Sequence, residues 1–430
     1  MNIFKKYGPY KLITLGFLLC IFIGSILLWL PISHIDGADV SYIDAFFTTV
    51  SAICVTGLAS IDLANSFNLF GRIIVALLIQ IGGLGVVCAA ISIIIISGQK
   101  IGIKKRILIM NSLNLNSLKG VVKFVKTMIK ITFTVELIGA ILSFLVFIKD
   151  HDFFRAIEIS IFHSISSFNN AGFDILGNFQ NLSNYRNNVL LNLTTCGLIV
   201  LGGLGFIVIN DLLEKKSFHK LQLHSKIVIK TTLFLIVIGT VLIKITGNLT
   251  WLESLFLSIS SRTAGFNTYP IGMLGLSSLL IVMILMFIGA SPSSTGGGIK
   301  TTTIYTLFKS TIAICTNKDC ETFKRKIPQD VINKSLVMLF SGISVVIVTV
   351  FCLSIYEPNF KLSDILFESI SAFGTVGLST GITPELSALS KITLAITMFI
   401  GRIGPLTLLA IWSKKGKSNV SYPEENIMIG

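Results

Sequence analysis

Four short stretches of the chain share a residue pattern that suits one kind of chemistry. They read Val55-Thr56-Gly57-Leu58, Asn170-Ala171-Gly172-Phe173, Thr263-Ala264-Gly265-Phe266 and Thr375-Val376-Gly377-Leu378. A serine stands six residues before the glycine in three of them (Ser51, Ser166, Ser371) and five before it in the other (Ser260). Glycine takes positive φ without a Cβ clash, so it can turn its carbonyl where other residues cannot. A ring of such carbonyls can replace the water shell of a K⁺ ion. Successive glycines are 115, 93 and 112 residues apart, so one chain carries four quadrants of the kind a tetrameric channel draws from four subunits. The competing explanation is that small and Ser-rich patches merely pack membrane helices together. Such patches have no need to end, four times over, in a glycine-centred tetrapeptide followed by a bulky residue.

The elements that must hold these segments are legible as apolar runs near 12–30, 72–97, 124–148, 189–210, 227–246, 278–312, 332–356 and 392–412. Between the members of each successive pair lies a semi-polar stretch, at 42–62, 155–178, 250–268 and 363–381, too short to cross a bilayer and too apolar for a solvated loop. A re-entrant half-helix followed by extended chain fits, with protein or a water-filled cavity around it. The half-helix would aim its negative C-terminal end at a cation. The expected fold is an all-α membrane protein of eight transmembrane spans, built as four helix–pore loop–helix (M1–P–M2) repeats around one pseudo-fourfold axial pore. Repeat 1 covers 1–97, repeat 2 covers 98–210, repeat 3 covers 211–312 with an interrupted second span, and repeat 4 with a cytoplasmic tail covers 313–430.

Composition agrees. The chain is 52% hydrophobic and 13% charged, against about 25% charged in ordinary soluble domains, which argues against a water-soluble enzyme. Its net charge of +14 is placed asymmetrically: 25 of the 35 basic residues fall at the N-terminal side, in the connections 98–130, 211–230 and 309–334, and in the tail. The opposite loops carry Asp36, Asp39, Asp44, Asp62, Asp150, Asp152, Glu158, Asp174, Glu357, Asp364, Glu368 and Glu385. The positive-inside rule then puts both termini in the cytoplasm. The basic excess is topological and calls for a lipid bilayer, with no nucleic-acid partner, while the acidic outer face would concentrate cations. Lys5-Lys6 before the run 12–30 imitates a signal peptide, but the run is too long and ends in Trp29-Leu30-Pro31 without a small-residue cleavage site, so a retained first span is expected. Seven scattered cysteines without C-x-x-C spacing suggest neither a disulfide framework nor a zinc site.

The second span of repeat 3 is interrupted by Gly289-Ala290-Ser291-Pro292-Ser293-Ser294-Thr295-Gly296-Gly297-Gly298-Ile299-Lys300. Gly and Pro at this density break a helix, and the expectation is a flexible loop beneath the filter that occludes the pore as a gate; a passive kink is the plainer alternative. It is not a phosphate-binding loop, because Ile299 separates Gly298 from Lys300 and no strand precedes it. Gly82-Gly83-Leu84-Gly85 and Gly202-Gly203-Leu204-Gly205 occupy matching places in repeats 1 and 2 and read as close-packing or pore-lining positions. Arg402, midway along the last span, would cost at least ~2.5–3.5 kcal/mol unpaired. It reads as a pore-facing guanidinium that raises the barrier to cations and pairs with gate-loop carbonyls; the bland reading has it bonding helix ends. His163 and Arg262 are expected to brace the filter, and Glu136 and Lys244 to pair or snorkel. Five dispersed histidines supply no catalytic constellation, so no enzyme activity and no cofactor is expected. An organic-solute carrier would show inverted repeats, whereas these repeats run parallel.

The tetrapeptides at 55–58, 170–173, 263–266 and 375–378 resemble the four filter segments of the Trk/Ktr/HKT superfamily of potassium transporters. With eight spans and no extra N-terminal pair the chain is most similar to the KtrB type, and the ending Tyr422-Pro423-Glu424-Glu425 through Gly430 resembles tails of that type. The resemblance implies that Val55, Thr56, Gly57, Asn170, Ala171, Gly172, Thr263, Ala264, Gly265, Thr375, Val376 and Gly377 hold K⁺. It implies a homodimer, a cytoplasmic nucleotide-binding ring of the KtrA or TrkA kind, and K⁺ uptake across the cell membrane, often Na⁺-dependent. Sodium-admitting relatives often carry serine at the first filter glycine, so Gly57 favours K⁺. The alternatives are a channel-like subunit of a K⁺ pump and a Na⁺-selective relative.

Overall fold

The computed structural model describes residues 8–97, 101–113, 118–412, 425 and 428. The tail readings at Tyr422–Gly430, Lys5, Lys6, Lys100, Lys414, Lys415 and Lys417 lie outside the described residues, apart from Glu425 and Met428. One sequence of elements recurs four times: a long apolar helix, a shorter helix ending just before a glycine tetrapeptide, an irregular stretch, and a third helix that is broken. The first set is α1 (Pro9–Trp29), α2 (Tyr42–Ile53), α3 (Leu69–Leu84) and α4 (Val86–Ile96), with α5 (Ile103–Ser112) as a connector. The second is α6 (Val121–Phe147), α7 (Phe153–Phe168), α8 (Val189–Leu204) and α9 (Phe206–Lys215). The third is α10 (Leu223–Thr246), α11 (Trp251–Ser260), α12 (Leu276–Phe287) and α13 (Thr301–Cys315), followed by a small hairpin of β1 (Glu321–Thr322) and β2 (Arg325–Lys326). The fourth is α14 (Gln329–Tyr356), α15 (Leu362–Gly374), α16 (Ala388–Ile403) and α17 (Pro405–Trp412).

Among the described residues, α1, α6, α10 and α14 are long and apolar enough to cross a bilayer unaided. The pairs α3/α4 and α8/α9 qualify as broken spans, bent by 100° and 95°. This is a mostly helical membrane protein, and α14 shows the solvent it is built for by exposing Phe340, Ile347, Val348, Phe351 and Ile355 along its length. The sequence suggests unbroken spans at 72–97, 189–210 and 392–412; the structure breaks them at Gly85, Gly205 and Gly404, which take φ of 81°, 91° and 88°. A glycine inside a helix is only weakly disfavoured, so the break depends on what grips the chain beyond it. At Gly205 the grip is a bond from Phe206 N–H to Ser293 O, 3.0 Å; after Gly404 it is Pro405, which has no N–H to continue the helix. The run 278–312 is interrupted over 288–300, where the sequence expects it.

The short helices are sunk in the protein, with Phe47, Phe256 and Phe367 fully buried. Their outer ends are tied to the preceding repeat by a recurring ion pair between a base near the start of one third helix and an acid in the first turns of the next short helix. Lys391 on α16 meets Asp44 on α2 at 2.8 Å, Arg72 on α3 meets Glu158 on α7 at 2.9 Å, and Arg186 before α8 meets Glu253 on α11 at 3.0 Å. An acid at a helix N-terminus also complements the dipole. Thus the fourth repeat is fastened to the first, the first to the second and the second to the third.

Candidate ion pathway

The four tetrapeptides meet. A Cβ added at Gly57 would lie 2.3 Å from Ala171 O, at Gly172 2.6 Å from Ala264 O, at Gly265 2.4 Å from Val376 O, and at Gly377 2.1 Å from Thr56 O. Each glycine therefore abuts a carbonyl of the next repeat, in the order one, two, three, four and back to one. The glycines take φ of 94°, 70°, 79° and 93°, values open to glycine and costly for L-residues. The residues two before them, Val55, Asn170, Thr263 and Thr375, are also left-handed, with φ of 57°, 59°, 100° and 50°. For β-branched residues this is a strained conformation of the kind stored at functional sites.

The serine spacing has a local cause. Ser51, Ser166 and Ser371 each accept, on the backbone oxygen, the N–H of the residue before the glycine (Thr56, Ala171, Val376) at 2.8–2.9 Å, and Ser260 accepts from Ala264 at 2.8 Å. The side chains of Ser51 and Ser371 then take the N–H of Gly57 and Gly377 at 3.0 and 3.1 Å. Gly265 N–H instead donates to Ser260 O at 3.4 Å, and the carbonyl of Gly172 accepts from Asn181 Nδ2 at 3.4 Å. Asn170 and Thr263 bond side chain to side chain at 3.0 Å across neighbouring repeats.

The segment 288–300 lies directly below. Gly297 N–H donates to Thr375 Oγ1 at 2.9 Å, and a Cβ at Gly296 would come within 2.4 Å of Thr263 Oγ1. The segment is also tied to the second and fourth repeats: Ser291 N–H donates to Gly203 O (3.1 Å), Thr295 N–H to Gly202 O (3.3 Å) and Gly298 N–H to Gly401 O (3.3 Å). Ser293 Oγ bonds Leu113 O at 2.9 Å, Lys300 Nζ bonds Gly296 O at 2.8 Å, and Gly289 abuts Gly297 O. Arg402 donates one guanidinium nitrogen to Thr295 O and the other to Gly82 O, so it joins the segment to the first repeat. The glycines in the broken helices pack where the short helices end: added Cβ atoms at Gly82, Gly202 and Gly401 would lie 2.1, 1.9 and 2.0 Å from the carbonyls of Ile53, Phe168 and Phe373.

Among the other singled-out residues, His163 Nε2 is 2.9 Å from Thr195 Oγ1 and its ring lies edge-on to Phe266, one residue past the third glycine. Arg262 is buried with its Nε unpaired, and Lys244 Nζ bonds Leu249 O at 2.6 Å. Glu368 was legible only as one more outer acid. It is fully buried, and its carboxylate accepts from Ser379 Oγ, Thr380 N–H (3.2 Å) and Thr383 Oγ1 (3.0 Å), clamping the chain after the fourth tetrapeptide. The hydroxyl-rich run Ser379-Thr380-Gly381-Ile382-Thr383 was the available signal.

All four glycines line one outer cavity of about 710 Å³, whose wall includes Asp62 and Asp174. Partial burial pushes the Asp174 carboxyl up to about 6; Asp62 adds to the rise, and bonds from the N–H groups of Leu176 and Gly177 oppose it. Above that pH the group is an anion in the cavity wall, and below it that charge is lost. Between pH 7.5 and 5.5 the half-saturating concentration of the transported cation is expected to rise about twofold, the size of a screened charge near a wet site. Asp174→Asn should raise it at neutral pH and flatten the profile, which cation-uptake titrations at two pH values would check.

The family model described as TrkH, cation transport protein, matches residues 9–250 and 249–422. The chain is 37% identical to the Ktr system potassium uptake protein B of Bacillus subtilis over 99% of this chain and 97% of that protein. It is 37% identical to the potassium/sodium uptake protein NtpJ of Enterococcus hirae, over 99% and 98%. The crystal structure of the potassium transporter TrkH from Vibrio parahaemolyticus superposes with a TM-score of 0.76 at 18% identity, over 94% of this chain and 85% of that one, which establishes the likeness of fold. The chain belongs to the TrkH family of cation transport proteins.

Proposed function

We propose that this chain is the K⁺-translocating subunit of an uptake system in the cell membrane, with both termini cytoplasmic. Eight spans, in four M1–P–M2 repeats over 1–97, 98–210, 211–312 and 313–430, surround one axial pore. K⁺ sheds water in the outer cavity and is held by main-chain oxygens of residues 55–57, 170–172, 263–265 and 375–377. The C-terminal ends of α2, α7, α11 and α15 add a favourable potential at the same point. Residues 289–300 are the gate, with Gly289, Ser291, Ser293, Ser294, Thr295, Gly296, Gly297, Gly298 and Lys300 forming the barrier and Arg402 holding it shut. The observation that carries this reading is the closed cycle of glycine-to-carbonyl contacts, repeat to repeat.

The names of the two relatives supply the ions: both include potassium, and the Enterococcus protein's adds sodium. Na⁺ is therefore a second permeant or an activator. The phrase "Ktr system" in the Bacillus protein's name supports partner subunits, which we take to be a second copy of this chain and a cytoplasmic nucleotide-binding ring of the KtrA or TrkA type. The deciding experiment is rescue of growth at low K⁺ in a K⁺-uptake-deficient bacterium, with ⁸⁶Rb⁺ uptake into proteoliposomes measured with and without Na⁺. No rescue and no Rb⁺ uptake by inserted protein would refute the assignment; ²²Na⁺ uptake in preference to Rb⁺ would establish the sodium-selective alternative.

A further inference from the structure

We propose that Glu136 is a positioning residue for the second filter segment, acting through Asn169 and so helping to set which monovalent cation passes. The inference rests on the reading of residues 170–172 as filter. Glu136 lies midway along α6, 6% exposed, and no described cationic side chain forms an ion pair with it. An ionisable group at that depth is a functional candidate by default, and neither the gate nor the ring uses it. Its Oε1 accepts from Asn169 Nδ2 at 3.0 Å. The same amide nitrogen donates to Gln80 Oε1 on α3 at 3.0 Å and to Ile165 O at 2.9 Å, so three acceptors converge on a group with two hydrogens. On its other side Asn169 Oδ1 has no partner and presses on Gly83, where an added Cβ would lie 1.9 Å away.

Asn169 is thus wedged between the outer helix of its own repeat and the third helix of the preceding one. It caps α7 and immediately precedes Asn170, the residue that turns left-handed to start the tetrapeptide. The matching positions in the other repeats are Cys54, Arg262 and Gly374, none of which carries an amide, so the clamp belongs to one quadrant only. A ring that is fourfold in backbone is in this way braced unequally. Releasing the brace lets one carbonyl ligand wander, and discrimination between K⁺ and the smaller Na⁺ suffers before conduction does.

The test is competitive ⁸⁶Rb⁺ against ²²Na⁺ uptake by reconstituted protein, with monodispersity in detergent as the folding control. Glu136→Leu removes the acceptor and is expected to lower the Rb⁺/Na⁺ ratio by about fivefold, with Asn169→Ala doing the same. The double variant should lose no more than either single one, because both act through one contact. Glu136→Gln keeps an oxygen for the amide and should stay near the wild-type ratio. A merely structural role would lower protein yield and maximal uptake and leave the ratio alone. An unchanged ratio in Asn169→Ala, additive losses in the double variant, or a Gln variant as unselective as Leu would each overturn the proposal, and Asn169→Ala decides if Glu136→Leu does not fold. Absence of Rb⁺ uptake by the wild type would instead refute the filter assignment itself.

Discussion

Replacing any one ring glycine by serine is expected to cut the Rb⁺/Na⁺ uptake ratio at least about tenfold, a change worth about 1.4 kcal/mol in relative ion stabilisation. The size follows from two costs that act together. The new Cβ would lie 2.1–2.6 Å from a carbonyl oxygen of the adjoining repeat, well inside ordinary contact, so that oxygen must retreat by roughly 1 Å to reach normal van der Waals separation. The residue must also hold a left-handed φ, which costs an L-residue about 1–2 kcal/mol. The oxygen that retreats is one of those proposed to bind the ion, and a main-chain ligand cannot be re-aimed by choosing another rotamer. The contacts also rank the variants: Gly377, at 2.1 Å from Thr56 O, should suffer most, and Gly172, at 2.6 Å from Ala264 O, least. Competitive uptake by the four reconstituted variants checks both the magnitude and the order. Four serine variants with wild-type ratios would remove the ring from the mechanism.

The meeting of the four glycine tetrapeptides was legible in the sequence because each carries a local mark. A left-handed turn pressed against a neighbouring carbonyl demands a glycine at a fixed place, and at Gly57 and Gly377 the N–H takes a partner at fixed distance, Ser51 and Ser371, from six residues upstream. The interruption at 288–300 was legible for a similar reason, since three consecutive glycines and a proline exclude continuous helix. The bends at Gly85 and Gly205 were not. A Gly-Gly-Leu-Gly run is compatible with a straight, closely packed helix, and what breaks it at Gly205 is Ser293 O, a group far away in the sequence. The same holds for side-chain clamps. Glu136 met Asn169 and Gln80, and Glu368 met Ser379 and Thr383, through contacts that no local period or spacing encodes. Arg402 lies between the two cases: its mid-span position demands partners, and the sequence points to carbonyls of the 288–300 segment, but the second partner, Gly82 O, comes from the repeat farthest away in the chain.

Deleting residues 291–298 is expected to raise K⁺ or Rb⁺ flux about tenfold in protein that stays inserted and monodisperse, and the contacts of the segment explain the rise. The ends of the deletion are already neighbours: Ile288 and Ile299 form a parallel bridge, and Thr301 N–H lies 3.4 Å from Ala290 O. Because the two segments run parallel, with Ala290 beside Thr301, a new bond from Ala290 to Ile299 must pull these residues out of register, so the rearrangement falls on the few residues between α12 and α13. What disappears is the material beneath Thr263 and Thr375, including the Gly297 N–H bond to Thr375 Oγ1. In the intact chain the segment is held from three repeats at once, by Gly202 O and Gly203 O, by Gly401 O, and by the guanidinium that bridges Thr295 O to Gly82 O. Hydrogen bonds to a charged group contribute roughly 1.5–3 kcal/mol each, so opening without help costs more than the 1.4 kcal/mol that corresponds to a tenfold change in population. Arg402→Ala should therefore raise flux by a smaller factor, about threefold, because the amide bonds to Gly202, Gly203 and Gly401 remain. Combined with the deletion it should add nothing further, since the partner it held is gone. Flux that is unchanged or lower in an inserted, monodisperse deletion variant would show that the segment is a passive kink, and a further rise in the double variant would show that Arg402 acts on the ion itself.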